Sequence, residues 1–247
     1  MHTVPGLYDR LAGLYADGKR AIDEGRLQDA VGLFSQGLQL DDHFRDQYVT
    51  MYALRAFARQ QLGDHMGAIP DYGRAIEMEP PFNQAQYFFH RGMCFSAIGG
   101  HEEHAVQDFG RAIAMAPDQP GPYHLRGKVL ASDMGRYEDA VADFDRLLAM
   151  HPVAEGYQLR GYSKLNLGLG AEAIPDLIEA ARLSPDTYTD YLLAWAGAIA
   201  PDDELFYRSM VAVLAADPGT YQSYFLDNDD FARFREQARF HQIINGR

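Results

Sequence analysis

A chain of 247 residues, 47% hydrophobic and 23% charged, has the composition of an ordinary folded protein and is long enough to bury a sizeable core. Its 35 acidic residues against 22 basic ones leave a formal charge of −13, which repels phosphate backbones and acidic lipid surfaces, so neither nucleic acid nor membrane is an expected partner. The single cysteine, Cys94, excludes an internal disulfide and any all-cysteine metal site. The start MHTVPGLYDRLAG lacks the basic and apolar regions of a secretory leader, and a cytoplasmic setting is the expectation.

In chain order, residues 11–48 hold a weak first unit, LYADGKRAIDEGRLQDAVGLFSQGLQLDD, with Gly18, Ala30 and Phe34 at its small and aromatic positions and Asp42 where later units place proline. Four clearer units follow at 49–82, 83–119, 120–153 and 154–187. They contain RAFARQQLGDHMGAIPDYGRAIEMEP, RGMCFSAIGGHEEHAVQDFGRAIAMAP, RGKVLASDMGRYEDAVADFDRLLAMHP and RGYSKLNLGLGAEAIPDLIEAARLSP. The anchors Arg55, Arg91, Arg126 and Arg160 are spaced 36, 35 and 34, and Pro80, Pro117, Pro152, Pro185 and Pro218 are spaced 37, 35, 33 and 33.

Each shared residue has a physical reason. Small residues at Ala56, Gly92, Gly127 and Gly161 in a first helix, and at Ala68, Ala105, Ala140 and Ala173 in a second, let two antiparallel helices approach closely. Tyr72, Phe109, Phe144 and Leu177 lie one turn after those alanines and continue a buried stripe. Gly63, Gly135 and Gly168 suit the turn between helices, and the prolines disfavour helix in the residues before them.

A period near 34 residues with this skeleton resembles the tetratricopeptide repeat (TPR) family over about residues 11–218. The resemblance implies an all-α fold: a right-handed α-α superhelix of five to six helix pairs in one domain, with residues 188–219 as a degenerate sixth pair carrying Phe206 in place of the small alanine. Residues 220–247 are read as a cap in which YFLDNDDFARFREQARFHQII forms one more helix, started by Asp227 or Asn228, with Phe231, Phe234 and Ala238 on one face.

The motifs that suggest chemistry have plainer structural readings. Arginines recur with aspartates at Asp71, Asp108, Asp143 and Asp176, at separations of 16, 17, 17 and 16, which marks a scaffold contact rather than a site because it repeats in every unit. His101, Glu102, Glu103 and His104 lack the HExxH spacing and fall at a turn. Asp227, Asn228, Asp229 and Asp230 would put Ala232 and Ala238 where an EF-hand loop needs glycine and glutamate. Cys94 has His90 four residues away but no third group to orient it, so no catalytic residue, cofactor or metal is expected, and the chain is read as a non-enzyme.

The resemblance also implies that first helices line a concave groove. Counting from each arginine, positions −2, +2, +5 and +6 form a stripe distinct from the packing stripe. From it the candidate groove residues are Phe57, Gln60, Phe89, Met93, His124, Lys128, Gln158, Tyr162 and Asn166, with Tyr15 and Lys19 as first-unit equivalents. These positions vary between units, as the reader of a specific ligand should, and the expected function is a non-catalytic scaffold or adaptor that holds another protein or a peptide. The family's carboxylate clamp needs matched Lys and Asn positions. Only Lys19, Lys128 and Asn166 qualify in type, so an acidic chaperone tail is not the expected ligand. Self-assembly into a homo-oligomer is the alternative, with an enzyme on a helical frame behind it.

Overall fold

The computed structural model describes residues 6–40, 45–80 and 84–246; Asp42, in the proline position of the first unit, lies outside them. The described residues form helices joined by short turns and contain no strand, the all-α class expected. The chain divides into two compact units, Met1–Val129 and Leu130–Arg247. The first holds α1 (Leu7–Asp23), α2 (Leu27–Leu38), α3 (Arg45–Gln61), α4 (His65–Met78), α5 (Ala85–Ile98), α6 (Glu102–Met115) and most of α7 (Pro120–Ser132). The second holds α8 (Tyr137–Met150), α9 (Ala154–Asn166), α10 (Gly170–Leu183), α11 (Thr187–Ile199), α12 (Asp203–Ala216), α13 (Pro218–Asp227), α14 (Ala232–Arg235) and α15 (Ala238–Ile244).

Within the first unit α1–α2, α3–α4 and α5–α6 are packed neighbours, as are α9–α10 and α11–α12 in the second. The turns inside these pairs use the expected glycines. Gly63 and Gly168 adopt φ of 80° and 74°, a region that costs residues with a Cβ. At each, paired backbone bonds close the helix end: Gly63 N–H to Gln60 O with Asp64 N–H to Arg59 O, and Gly168 N–H to Leu165 O with Leu169 N–H to Lys164 O. Aspartates start the next helices, Asp64 accepting from Gly67 N–H at 2.9 Å and Asp202 from Leu205 N–H at 3.0 Å. Pro80, Pro117, Pro152 and Pro185 lie just past α4, α6, α8 and α10, whereas Pro218 is also the first residue of α13, where its missing N–H is harmless.

Small-against-large packing sets the distance between paired helices. A Cβ built on Gly18 would lie 2.5 Å from the Phe34 ring, one on Gly92 2.9 Å from Phe109, and one on Gly161 2.7 Å from Leu177. Ala68, Ala105, Ala140 and Ala173 are completely buried. The recurring arginines then fix orientation: Arg55 donates two bonds to Asp71 (2.8 and 2.6 Å), Arg91 two to Asp108 (2.7 and 2.9 Å) and Arg160 two to Asp176 (2.9 and 2.5 Å). These aspartates are at most 4% exposed. Arg59 adds a second cation to Asp71 and Lys164 one to Asp176, while the third repeat has Phe95 at that position, under the Arg91 guanidinium.

The C-terminal segment differs from the single helix expected. After α13 come a 3-10 turn at Asp229–Phe231, the short α14 and, past a break at Glu236 and Gln237, α15. Asn228 caps the 3-10 turn, accepting from Asp230 N–H at 2.9 Å. The reason for the break is burial: Phe225, Phe231, Phe234 and Phe240 are all fully buried in the core of the second unit, and at 100° per residue one continuous helix would set Phe240 opposite Phe231. Ala238, assigned to the buried face from the sequence, is exposed, and Phe240 takes that part. Phe206, which replaces a small alanine, stacks on Phe234 with ring centres 3.7 Å apart.

A methyl group at position 161 meets two opposed effects. Gly→Ala in a helix gains about 0.5–1 kcal/mol of backbone entropy, but overpacking costs about 1–3 kcal/mol. Gly161→Ala is expected to lower the urea midpoint because Leu177 blocks the new Cβ, and Gly32→Ala to raise it, since nothing lies within 4 Å of that helical position.

Candidate functional site

In the first unit, α3 and α5 lie side by side, and four of the expected groove residues gather between and beside them. Phe57 is half-buried, with its ring edge-on to His90 at 6.3 Å, and lines a pocket of about 210 Å³ together with Ala53, Leu54, Tyr72, Tyr87 and His90. Gln60 is nearly buried: its amide oxygen accepts from the Tyr72 hydroxyl at 2.9 Å, and its Nε2 points at the Met93 sulfur at 3.7 Å. Gln60 therefore bridges the helices and fixes Met93, leaving little of itself for a ligand.

Phe89 turns to the other side of α5, between His90 (5.5 Å) and Phe109 (6.0 Å), and lines a second pocket of about 260 Å³ with Ala85, Ala112, Ala116, Gly121 and Pro122. On α7, His124 is half-buried and Lys128 exposed.

In the second unit Gln158 donates to Asp186 (3.1 Å) and to the Thr189 hydroxyl (2.7 Å), and Tyr162 lies between Tyr137 and Trp195 at 6.2 and 6.3 Å. Both residues thus engage neighbouring helices. Asn166 donates back to its own helix, to Tyr162 O at 2.9 Å.

Two features were given no part in binding from the sequence, His90 having been weighed only as a partner for Cys94. His90 sits at the centre of the first unit's aromatic group, stacked on Tyr72 at 5.8 Å and 13°, and its Nδ1 is buried with no hydrogen-bond partner. Burial pushes its pKa below the ordinary imidazole value, so the ring is held neutral. The second feature is a tyrosine face formed by Tyr188 and Tyr191 on α11 and Tyr221 and Tyr224 on α13. A sequence signal existed for it: Thr-Tyr-x-x-Tyr occurs at 187–191 and again at 220–224, each time at a helix start.

The residues with catalytic potential are occupied structurally. Cys94 is wholly buried against Ala56, Ala68 and Tyr72, and burial pushes its thiol up to about 11, so it carries no thiolate at neutral pH. His101 and His104 both pack on the Phe95 ring, at 5.8 and 5.1 Å, while Glu102 accepts from Gly100 N–H at 2.7 Å. Among the described residues no helix is long and apolar enough to cross a membrane.

Residues 129–188 match the model of the tetratricopeptide repeat family. The chain is similar to the crystal structure of MamA (TM-score 0.64, 18% identity, covering 70% of this chain and 91% of that one). It is also similar to MamA residues 41-end from Desulfovibrio magneticus RS-1 (0.63, 15%, 77% and 98%). YrrB, a TPR protein with an unusual peptide-binding site, matches at 0.62 with 17% identity over 71% of this chain and 87% of its own. The fold is the TPR fold, and residues 129–188 carry the family's sequence pattern as well.

His90 gives a signed prediction. Its folded pKa lies below that of the unfolded chain, about 6.5, so the unfolded state binds the extra proton first and stability is lost as pH falls below about 6.5. His90→Phe, which keeps a ring and removes the unpartnered nitrogen, is expected to flatten this decline between pH 7 and 5 in thermal melts and to leave stability at pH 7.5 equal or higher.

Proposed function

We propose that the chain is a non-catalytic interaction scaffold that binds a protein or peptide segment on the faces of its first helices. The carrying observation is a division of labour. The repeated residues, Arg55 with Asp71, Arg91 with Asp108 and Gly92 under Phe109, are consumed in holding helix pairs together. The positions that vary, Phe57 and Phe89 among them, stay partly open and line apolar pockets with a few polar edges. Such pockets suit side-chain anchors, the kind of contact that dominates protein recognition. YrrB's printed description as a protein with a peptide-binding site supports the same reading.

Truncating both anchors in the first unit tests this. Phe57→Ala with Phe89→Ala is expected to weaken capture of a native partner by about 2 kcal/mol or more while circular dichroism shows the helices intact. Glu138→Ala, an exposed change on α8, serves as control. Equal recovery of the same partners by the double variant, read by quantitative pull-down, would move the binding surface elsewhere.

A further inference from the structure

The tyrosine face of the second unit gathers four rings from two helices. Tyr188 and Tyr191 are three residues apart on α11, and Tyr221 and Tyr224 three apart on α13. Tyr191 is buried at the centre, with ring centres 6.3 Å from Tyr188 and 5.7 Å from both Tyr221 and Tyr224. Its hydroxyl accepts from Asn228 Nδ2 at 3.2 Å, which fixes the ring. Tyr188 and Tyr224 remain 39% and 48% exposed. The face continues to α9 through Trp195 and Tyr162, one of the residues first singled out for binding.

Among the described residues the ionised groups set around these rings are mainly carboxylates, the nearby cation being Arg235, which donates to Asn228 O at 2.6 Å. Asp186 caps α11, accepting from Thr189 N–H at 2.8 Å, and Asp217 caps α13, accepting from Thr220 N–H at 3.0 Å. Asp230 accepts from Trp195 Nε1 at 2.5 Å beside Tyr191. Asp190, one turn after Asp186, is half-buried, and burial and Asp186 both raise its pKa. Burial together with the tyrosine neighbours pushes the Tyr188 phenol up to about 12, so that ring stays neutral and keeps its electron-rich face. Arginines elsewhere in the chain do stack on aromatic rings, as Arg160 does on Tyr157 and Arg239 on Tyr207. Among the described residues none lies over Tyr188, Tyr191, Tyr221 or Tyr224, and no Lys or Arg pairs with Asp186, Asp190, Asp217 or Asp230.

We propose that this face docks a basic peptide segment, with arginine side chains stacking on Tyr188 and Tyr224 and their charge answered by Asp186, Asp190 and Asp217. Aromatic faces attract guanidinium groups, and the attraction grows when the ring is partly desolvated and carboxylates stand nearby. A neutral apolar segment would fill the same surface but leave the carboxylates without counter-charges. An acidic segment is repelled by the four aspartates and by the net charge of −13.

The inference deepens the binding reading above and rests on it, so its test uses defined probes. The acetylated, amidated peptide (Gly-Arg-Ser)3 is titrated into the intact protein at 150 mM salt, beside its counterpart with citrulline, which keeps the shape of arginine and removes its charge. Affinity is read by isothermal titration calorimetry in parent and variant alike, and the ring resonances of Tyr188 and Tyr224 locate the peptide in the parent. The arginine peptide is expected to shift these resonances and the citrulline peptide to bind at least tenfold more weakly. Y188L with Y224L, which keeps an apolar surface and every carboxylate, is expected to weaken arginine-peptide binding at least tenfold. Equal affinity for the two peptides, which needs no variant, overturns the proposal, and so does unchanged affinity in a folded Y188L/Y224L protein, which would mean attraction by bulk negative charge. If the arginine peptide fails while the Phe57/Phe89 double variant still loses a native partner, the basic-segment proposal falls and the scaffold reading stands; if neither variant changes any binding, both fall.

Discussion

The helix pairs depend on one steric constraint: at fixed places on a first helix there is room for a hydrogen or, at Ala56, a methyl group, and for nothing larger. The rings of Phe34 and Phe109 and the branched end of Leu177 lie where a Cβ of Gly18, Gly92 or Gly161 would be. That contact brings two backbones close enough for an arginine on one helix to grip an aspartate on the other with two parallel bonds. The buried aspartate is then an obligation as much as a support. With its arginine in place the pair contributes modestly, but at Asp108, where Phe95 stands in the place of the second cation that Arg59 and Lys164 supply elsewhere, removing Arg91 would leave an unpaired buried charge, a loss of about 3–5 kcal/mol. Such a pair punishes wrong packing more than it rewards correct packing, which is why it suits a repeated element.

Because the repeated residues complete the packing by themselves, one side of each first helix is left to vary. The two units have used that freedom differently. On α3 and α5 the variable positions surround a neutral histidine and open into apolar pockets. On α9, α11 and α13 they form a tyrosine surface with carboxylates at helix starts. Aspartates such as Asp186 and Asp217 thus hold a helix end and shape the local field at once.

Much of the scaffold was legible in the sequence because its residues are constrained by hard sterics that repeat. Gly63 and Gly168 turn as expected, Arg55, Arg91 and Arg160 find the aspartates 16 or 17 residues on, and Phe206 marks where the repeat departs from its pattern. The candidate surface was legible only in part. A stripe drawn at fixed offsets treats every unit alike, but Gln60 is drawn inward by the Tyr72 hydroxyl and Asn166 by its own helix, local hydrogen bonds that a register cannot carry. The tail was misread for a related reason. Helical periodicity connects Phe231 to Phe234 and Ala238, while the shape of the core required Phe240 and broke the helix to bring it in. The paired Thr-Tyr-x-x-Tyr segments were visible, but they lie outside the clear repeats from which the stripe was drawn.

The stacking of Phe206 on Phe234 also bears on how the chain is made. In the first unit the contacts that close each core join helices one or two apart in sequence, so they become available soon after those helices leave the ribosome. In the second, α11 and α12 are complete by residue 216, yet the apolar surface around Phe206 has its covering rings only once Phe234 and Phe240 have been synthesised. For that interval a hydrophobic face stands open on the nascent chain. The strongly acidic composition works against contact between neighbouring chains, since like net charges repel.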